Sequence, residues 1–226
     1  MADLQELSDA LCSGYVDRVK HITKELLENG TPSGTILKEG FIAGMDIVGA
    51  RMSKHEMYLP DVLQSARAMK GAMEILQPYL KESGVKATGT VVLGTVKGDM
   101  HDIGKTIVGI MLQGAGMEVI DLGVNVPPEA FIEAIRKHSP QLVGFSALLT
   151  TTMLWMKKTI DAITTAELRD KVKIMIGGAP TSQRFADEIG ADGYAHDAGG
   201  AVITARELIA GLKGTEVSSH IPKVAK

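Results

Sequence analysis

A helical N-terminal half joined to an α/β half with a doubly wound parallel sheet is the architecture that this sequence predicts. Three observations carry the prediction. Residues 1 to 82 repeat their apolar side chains at helical spacing. From residue 89 onward, short apolar runs of strand length alternate with helical segments. Between the two halves, "KESGVKATGT" (81–90) is polar, contains glycine and follows neither period, which reads as a linker.

The first half resolves into four helices. After "LCSG", "YVDRVKHITKELLENG" places Val16, Val19, Ile22, Leu26 and Leu27 on one face and stops at Gly30. "TPSGTILKEGFIAGMDIVGARM" begins at Thr31-Pro32, a suitable helix start. "LPDVLQSARAMKGAMEILQPYL" sets Leu59, Val62, Ala66, Met69, Met73, Leu76 and Leu80 three or four residues apart, an amphipathic stripe. Four such helices make a small bundle.

The second half reads as five strands: "TVVLGTV", "MEVIDLG", "QLVGFSA", "VKIMIGG" and "DGYAH". Helices are predicted from Ile103 to Gln113, Pro128 to Lys137, Thr151 to Ala166, Thr181 to Ile189 and Ala201 to Leu212. The expected division is a helical domain over 1–82, a linker over 83–90, a sheet domain over 91–213 and a loose tail over 214–226.

Composition narrows the function. The chain has 226 residues with 45% hydrophobic content, enough for one large or two modest cores. A net charge of −3 points to no nucleic-acid partner and no anionic membrane surface. One cysteine, Cys12, supplies neither a disulfide framework nor a thiolate zinc cluster and fits a reducing cytoplasm. No signal peptide or apolar run of membrane-spanning length is visible, so a soluble cytoplasmic protein is expected. Twelve methionines against four phenylalanines, four tyrosines and one tryptophan read first as flexible core filling.

In doubly wound sheets, ligands bind beyond the carboxyl ends of the strands. The loops there read "VKGDMHDIG", "SALLTTT", "GGAPTS" and "YAHDAGG". The first ends in Gly-Lys-Thr like a phosphate loop, but Gly98 to Gly104 encloses five residues where a P-loop has four, and Asp99 would repel phosphate. A phosphoacceptor receiver domain needs an aspartate at the end of strand 3, where this chain has "GFSAL"; flavin binding favours aromatics, which are few here. No nucleophile elbow surrounds Ser146, and the only close acidic pair, Asp99 and Asp102, lies in one loop. Asp99 and His101, two apart, can pair so that the carboxylate fixes the imidazole tautomer, as beside a metal-bound histidine. No other ligand cluster is visible, so a metal on His101 would need a cofactor to supply its remaining ligands.

Asp99-x-His101-x-x-Gly104, Ser146-x-Leu148 and Gly177-Gly178 resemble the three-part signature of cobalamin-binding domains of flavodoxin/Rossmann-like fold. "VKGDMHDIGK" and "IGGAPTS" are similar to the cobalamin module of methionine synthase, and residues 44–80 resemble the helical cap preceding it. The resemblance spans residues 5 to 212. The layout is similar to the free-standing corrinoid proteins of methyltransferase systems in methanogens and anaerobic bacteria.

The resemblance implies a cofactor, cobalamin (methylcobalamin or another cobamide), bound base-off/His-on with His101 as the lower cobalt ligand. Asp99 would bond the distal imidazole nitrogen and relay protons. Thr152 stands where methionine synthase continues that relay with a serine, six residues beyond the serine of the Ser-x-Leu motif. Gly98, Met100, Asp102, Ile103 and Gly104 would complete the ligand loop. Gly177 and Gly178 would leave room for the displaced nucleotide tail, with Ser146, Leu148 and Thr150 lining the slot and Tyr194, Ala195 and Asp197 closing its far end. In the cap, Met52, Leu59 and Val62 would cover the methyl face; methionine synthase has phenylalanine at the first of these positions. The function implied is a methyl carrier without catalytic residues of its own. Its expected partners are a substrate-specific methyltransferase, a second methyltransferase delivering to coenzyme M or tetrahydrofolate, and a reductive activase. The rival readings are an adenosylcobalamin mutase small subunit, opposed by the helical cap, and a cobalamin sensor, opposed by the lack of a basic recognition helix.

Overall fold

The computed structural model describes residues 3–84 and 87–218. Contacts divide the chain into two units: one of 1–88, 103–119 and 197–202, the other of 89–102, 120–196 and 203–226.

The first unit is built on helical rods. Helix α1 (Leu4–Cys12) starts where the Asp3 carboxylate accepts the Glu6 amide at 2.6 Å, and it buries Leu7 and Leu11 completely. Helix α2 (Val16–Glu28) buries Val19, Ile22 and Leu26, with Val16 and Leu27 half-buried at the stripe's edges. It ends with Gly30 donating to Leu27 and Thr31 to Leu26, the paired bonds of a Schellman motif. The third rod runs through α3 (Ser33–Thr35), a π-helical stretch (Ile36–Ile42) and α4 (Ala43–Ser53). The Ala43 amide donates to Lys38 O, the wider π register. Helix α5 (Leu59–Glu82) packs on α2 and buries Val62, Ala66, Met69, Leu76 and Leu80 of the expected stripe. Helix α6 (Ile103–Gly114) joins this unit: a Cβ on Gly114 would lie 2.8 Å from Met45 Cγ, and one on Gly49 3.0 Å from Met111 Cε. Methionine is thus core filling here, with Met45 and Met111 at most 2% exposed.

Five strands form one sheet, β1 (Thr90–Thr95), β2 (Glu118–Asp121), β3 (Leu142–Ser146), β4 (Lys173–Gly177) and β5 (Gly193–Ala195), in the order β2-β1-β3-β4-β5. The β1–β3, β3–β4 and β4–β5 pairings are parallel. Strand order reverses between β1 and β3, the switch point at which doubly wound sheets bind ligands. The second unit's core joins Val92, Val143, Phe145 and Ile174 to helix α7 (Pro128–His138), where Phe131 meets Phe145 edge to face at 4.8 Å. It also takes in Met156 and Ile160 of α8 (Leu154–Thr165) and Ala186 of α9 (Gln183–Ile189).

Four boundaries differ from expectation. Helix α8 begins at Leu154 rather than Thr151, because residues 149–152 make a turn in which the Thr152 amide donates to Leu149 O. Helix α9 begins at Gln183 rather than Thr181, because Ser182 caps it by accepting the Phe185 amide and Thr181 turns back to Gly178 O at 2.6 Å. Helix α10 spans Ala198–Ser218, so 214–218 is helical where a tail was expected; 219–226 lie outside the described residues, as do 85 and 86 of the linker. Thr90, assigned to the linker, opens β1.

Candidate functional site

The register aligns the ends of four strands. Thr95 pairs with Ser146, Ser146 with Gly177 and Gly177 with Ala195, forming one row across the sheet. The loops that carry the sequence motifs leave from this row.

Asp99 is the hub. Its side chain is fully buried, and its two oxygens face five donors. Oδ1 lies 2.7 Å from His101 Nδ1 and accepts the His101 amide at 3.1 Å. Oδ2 accepts the Leu148 amide at 2.8 Å, the Leu149 amide at 3.3 Å and the Thr152 hydroxyl at 2.7 Å. Burial by itself raises the Asp99 carboxyl, but the bonds from Thr152, Leu148 and His101 outweigh it and hold the group well below the usual carboxylate range. A charged Asp99 makes Nδ1 the protonated nitrogen of a neutral ring. The Nε2 lone pair is then free, on a side chain 50% exposed.

The loop is held in place from three sides. The Thr95 hydroxyl donates to His101 O at 2.9 Å. Asn125 accepts the Gly98 amide at 2.7 Å on Oδ1 and donates its own amide to Asp99 O at 2.9 Å. Lys97 Nζ lies 4.6 Å above the Trp155 ring, which Lys158 approaches at 4.3 Å. Gly98 has φ +83°, a left-handed turn that favours glycine.

Met100 is 68% exposed, and Leu148, Leu149 and Ile103 are exposed as well. A Cβ added to Gly104 would meet nothing within 4 Å. Asp102 and Thr150 are exposed, and Ser146 is half-buried. At Gly178 the need for glycine comes from the chain itself: with φ +124°, a Cβ would lie 1.9 Å from Ala147 O. A Cβ on Gly177 would sit 3.2 Å from Ala195 O. These contacts are reasons within the chain for glycine at both positions. The Tyr194 hydroxyl lies 3.2 Å from His196 Nδ1.

The structure therefore joins Asp99, His101, Leu148 and Thr152 in one bonded network. Ile103, Gly104, Asp197, Met52, Leu59 and Val62 belong to the first unit. There Asp197 caps α10 by accepting the Gly200 amide at 2.7 Å, Val62 is fully buried, and Met52 and Leu59 are half-buried. Sequence reasoning missed Thr95, Leu149, Asn125 and the Lys97–Trp155 pair. None carries a local signal, since each partner lies in another element or is reached through backbone atoms.

The site fits a metal held mainly by a cofactor. Among the described residues no group of three or more His, Cys, Asp or Glu can hold an ion. One imidazole with a fixed tautomer and a free Nε2, on a loop that also exposes Met100, suits a flat macrocycle that brings its own metal ligands.

The comparisons with known proteins agree. Residues 89–203 and residues 3–77 each match a family described as a B12 binding domain. A dimethylamine corrinoid protein of Methanosarcina barkeri is 45% identical over 209 residues, covering 92% of this chain and 97% of the relative. A corrinoid protein of Desulfitobacterium hafniense (strain Y51) is 41% identical over 212 residues, covering 92% and 98%. The crystal structure of the methanol:cobalamin methyltransferase complex from Methanosarcina barkeri contains a chain with TM-score 0.80 and 30% identity, over 97% of this chain and 85% of that one. With both halves matched and relatives of this identity along most of its length, the chain belongs to the B12-binding corrinoid proteins.

Proposed function

We propose that this chain is the methyl-carrying subunit of a corrinoid-dependent methyltransferase system, with His101 Nε2 in the lower axial position of cobalamin. The observation that carries the reading is the His101–Asp99–Thr152 chain at the sheet's switch point, with Nδ1 held by a buried carboxylate and Nε2 left for a ligand. When bound, the corrinoid supplies a cobalt centre that accepts a methyl group and gives it up again. The protein's own part is to orient, tune and shield.

Asp99 keeps the proton on Nδ1 and strengthens Nε2 as a donor. The Thr152 hydroxyl, 2.7 Å from Asp99 Oδ2 and 2.8 Å from Leu149 O, can turn between these acceptors and adjust the charge that His101 feels. Met100 and the exposed leucines of the β3 loop present apolar surface to the macrocycle. The network also argues against a phosphate loop: the Leu148 and Leu149 amides and the Thr152 hydroxyl are committed to a fixed carboxylate.

The helical domain, residues 1–82, serves in this reading as a cap whose Met52, Leu59 and Val62 shield the upper face. Such a lid has to move for methyl transfer. The partners are a methyltransferase that loads the carrier, a second that delivers to coenzyme M or tetrahydrofolate, and a reductive activase, all in the cytoplasm. No helix among the described residues is long and apolar enough to cross a membrane.

The test is direct. Protein mixed with hydroxocobalamin should give a base-off, His-on absorption spectrum, and His101→Ala should lose it. A His101→Ala protein that binds with an unchanged spectrum overturns the axial assignment.

A further inference from the structure

We infer that Asn125, from the loop between β2 and α7, is a positioning residue for the ligand loop, acting through the Gly98–Asp99 turn rather than by touching the cofactor. The inference rests on the reading of His101 as the axial ligand.

Asn125 adopts φ +53°, a left-handed conformation that asparagine tolerates better than most residues. That backbone turn points its N–H at Asp99 O, 2.9 Å away, while its side-chain Oδ1 reaches back to the Gly98 N–H at 2.7 Å. One residue therefore holds the chain on both sides of the Gly98–Asp99 peptide. The turn closes on itself where the Asp99 amide donates to Val96 O at 3.1 Å, but Gly98, at φ +83°, has no side chain to restrict it, so the Asn125 bonds add a brace from outside. Thr95 fixes the other end by donating to His101 O at 2.9 Å. With both ends tied, the Asp99 carboxylate is aimed at once toward His101 Nδ1 and toward Leu148 and Thr152. The Asn125 side chain is exposed and accepts from the Gly98 amide, so its role is local to this loop. Replacing it leaves the core of the second unit intact.

The test is a double-mutant cycle on hydroxocobalamin affinity, read by quenching of the single tryptophan, with the absorption spectrum recorded alongside. Asn125→Gly keeps the left-handed backbone and the amide bond to Asp99 but deletes Oδ1. In the parent protein it should weaken binding by about threefold to fivefold, the range expected for one partly exposed hydrogen bond. In the His101→Ala background the same change should have almost no effect, because the ligand it positions is gone. Asn125→Asp restores an acceptor and should recover the parent affinity. Equal weakening in both backgrounds would show a merely structural role and overturn the inference, as would no weakening in either. The His101→Ala arm separates the two ideas. If its spectrum and affinity match the parent, the axial assignment fails and the inference with it; if they differ and the cycle shows no coupling, only the Asn125 inference fails.

Discussion

Asp99→Asn changes one atom at the centre of the site. The carboxylate accepts from His101 Nδ1 and from the His101, Leu148, Leu149 and Thr152 donors. An amide in its place has one acceptor and one donor end. With its oxygen toward Leu148, Leu149 and Thr152, its NH2 faces the His101 amide, and Nδ1 can pair with it only by giving up its proton. The opposite orientation sets NH2 against three donors. The first is the less costly, yet it leaves one donor unpaired and replaces charged bonds by neutral ones. A buried donor without a partner costs about 1–3 kcal/mol, and each weakened charged bond about 1 kcal/mol more. With three such bonds, from Leu148, Leu149 and Thr152, the expected loss is about 4–6 kcal/mol of folding stability in cofactor-free protein, measured by urea unfolding. The same flip moves the neutral ring's proton to Nε2, which 15N NMR of the imidazole would show, and removes the lone pair needed for metal ligation. The acid limb should change as well. Asp99's carboxyl is depressed in the folded state, so its contribution is present above the ordinary aspartate range and lost as pH falls below it. The variant should lose less stability on acidification than the parent. A destabilisation below about 0.5 kcal/mol, within the range of neutral surface changes, together with an unprotonated Nε2, would refute the reasoning.

Two further predictions concern the same network and its frame. Thr152→Val removes the hydroxyl 2.7 Å from Asp99 Oδ2 and should raise the Asp99 carboxyl while costing about 1–2 kcal/mol; Thr152→Ser should do neither, as followed by 13C titration and thermal unfolding. Gly178→Ala forces a Cβ to within 1.9 Å of Ala147 O and should cost at least about 3 kcal/mol, read as a lowered urea midpoint. Gly104→Ala, whose Cβ meets nothing within 4 Å, should instead leave stability unchanged and weaken hydroxocobalamin binding measured at equilibrium.

What the sequence made legible was whatever depends on neighbours along the chain. Helical spacing in "LPDVLQSARAMKGAMEIL" marks α5 because residues three and four apart share one face whatever the fold around them. The alternation of short apolar runs with helices gave the sheet, and the loops after its strands pointed to Asp99 and His101 as a pair two residues apart. The π-helical stretch at Ile36–Ile42 escaped because its apolar residues remain compatible with an ordinary helical stripe. The late start of α8 escaped because the turn before it, closed by the Thr152 amide on Leu149 O, also carries the Thr152 hydroxyl to Asp99, 53 residues away.

The sequence by itself determined the element types, the switch-point loops and the histidine–carboxylate pair, since each is set by period or by local spacing. Only the tertiary structure decided the reversal of strand order between β1 and β3, which brings the β3 loop's amides and Thr152 onto Asp99. It alone showed that Gly178 is glycine because β3's end passes against it, and that Asn125 braces a turn 27 residues before it. The physical reason is common to all three. Hydrogen bonds and steric contacts act over a few ångströms of space, and chain separation carries no record of which distant atoms will share them.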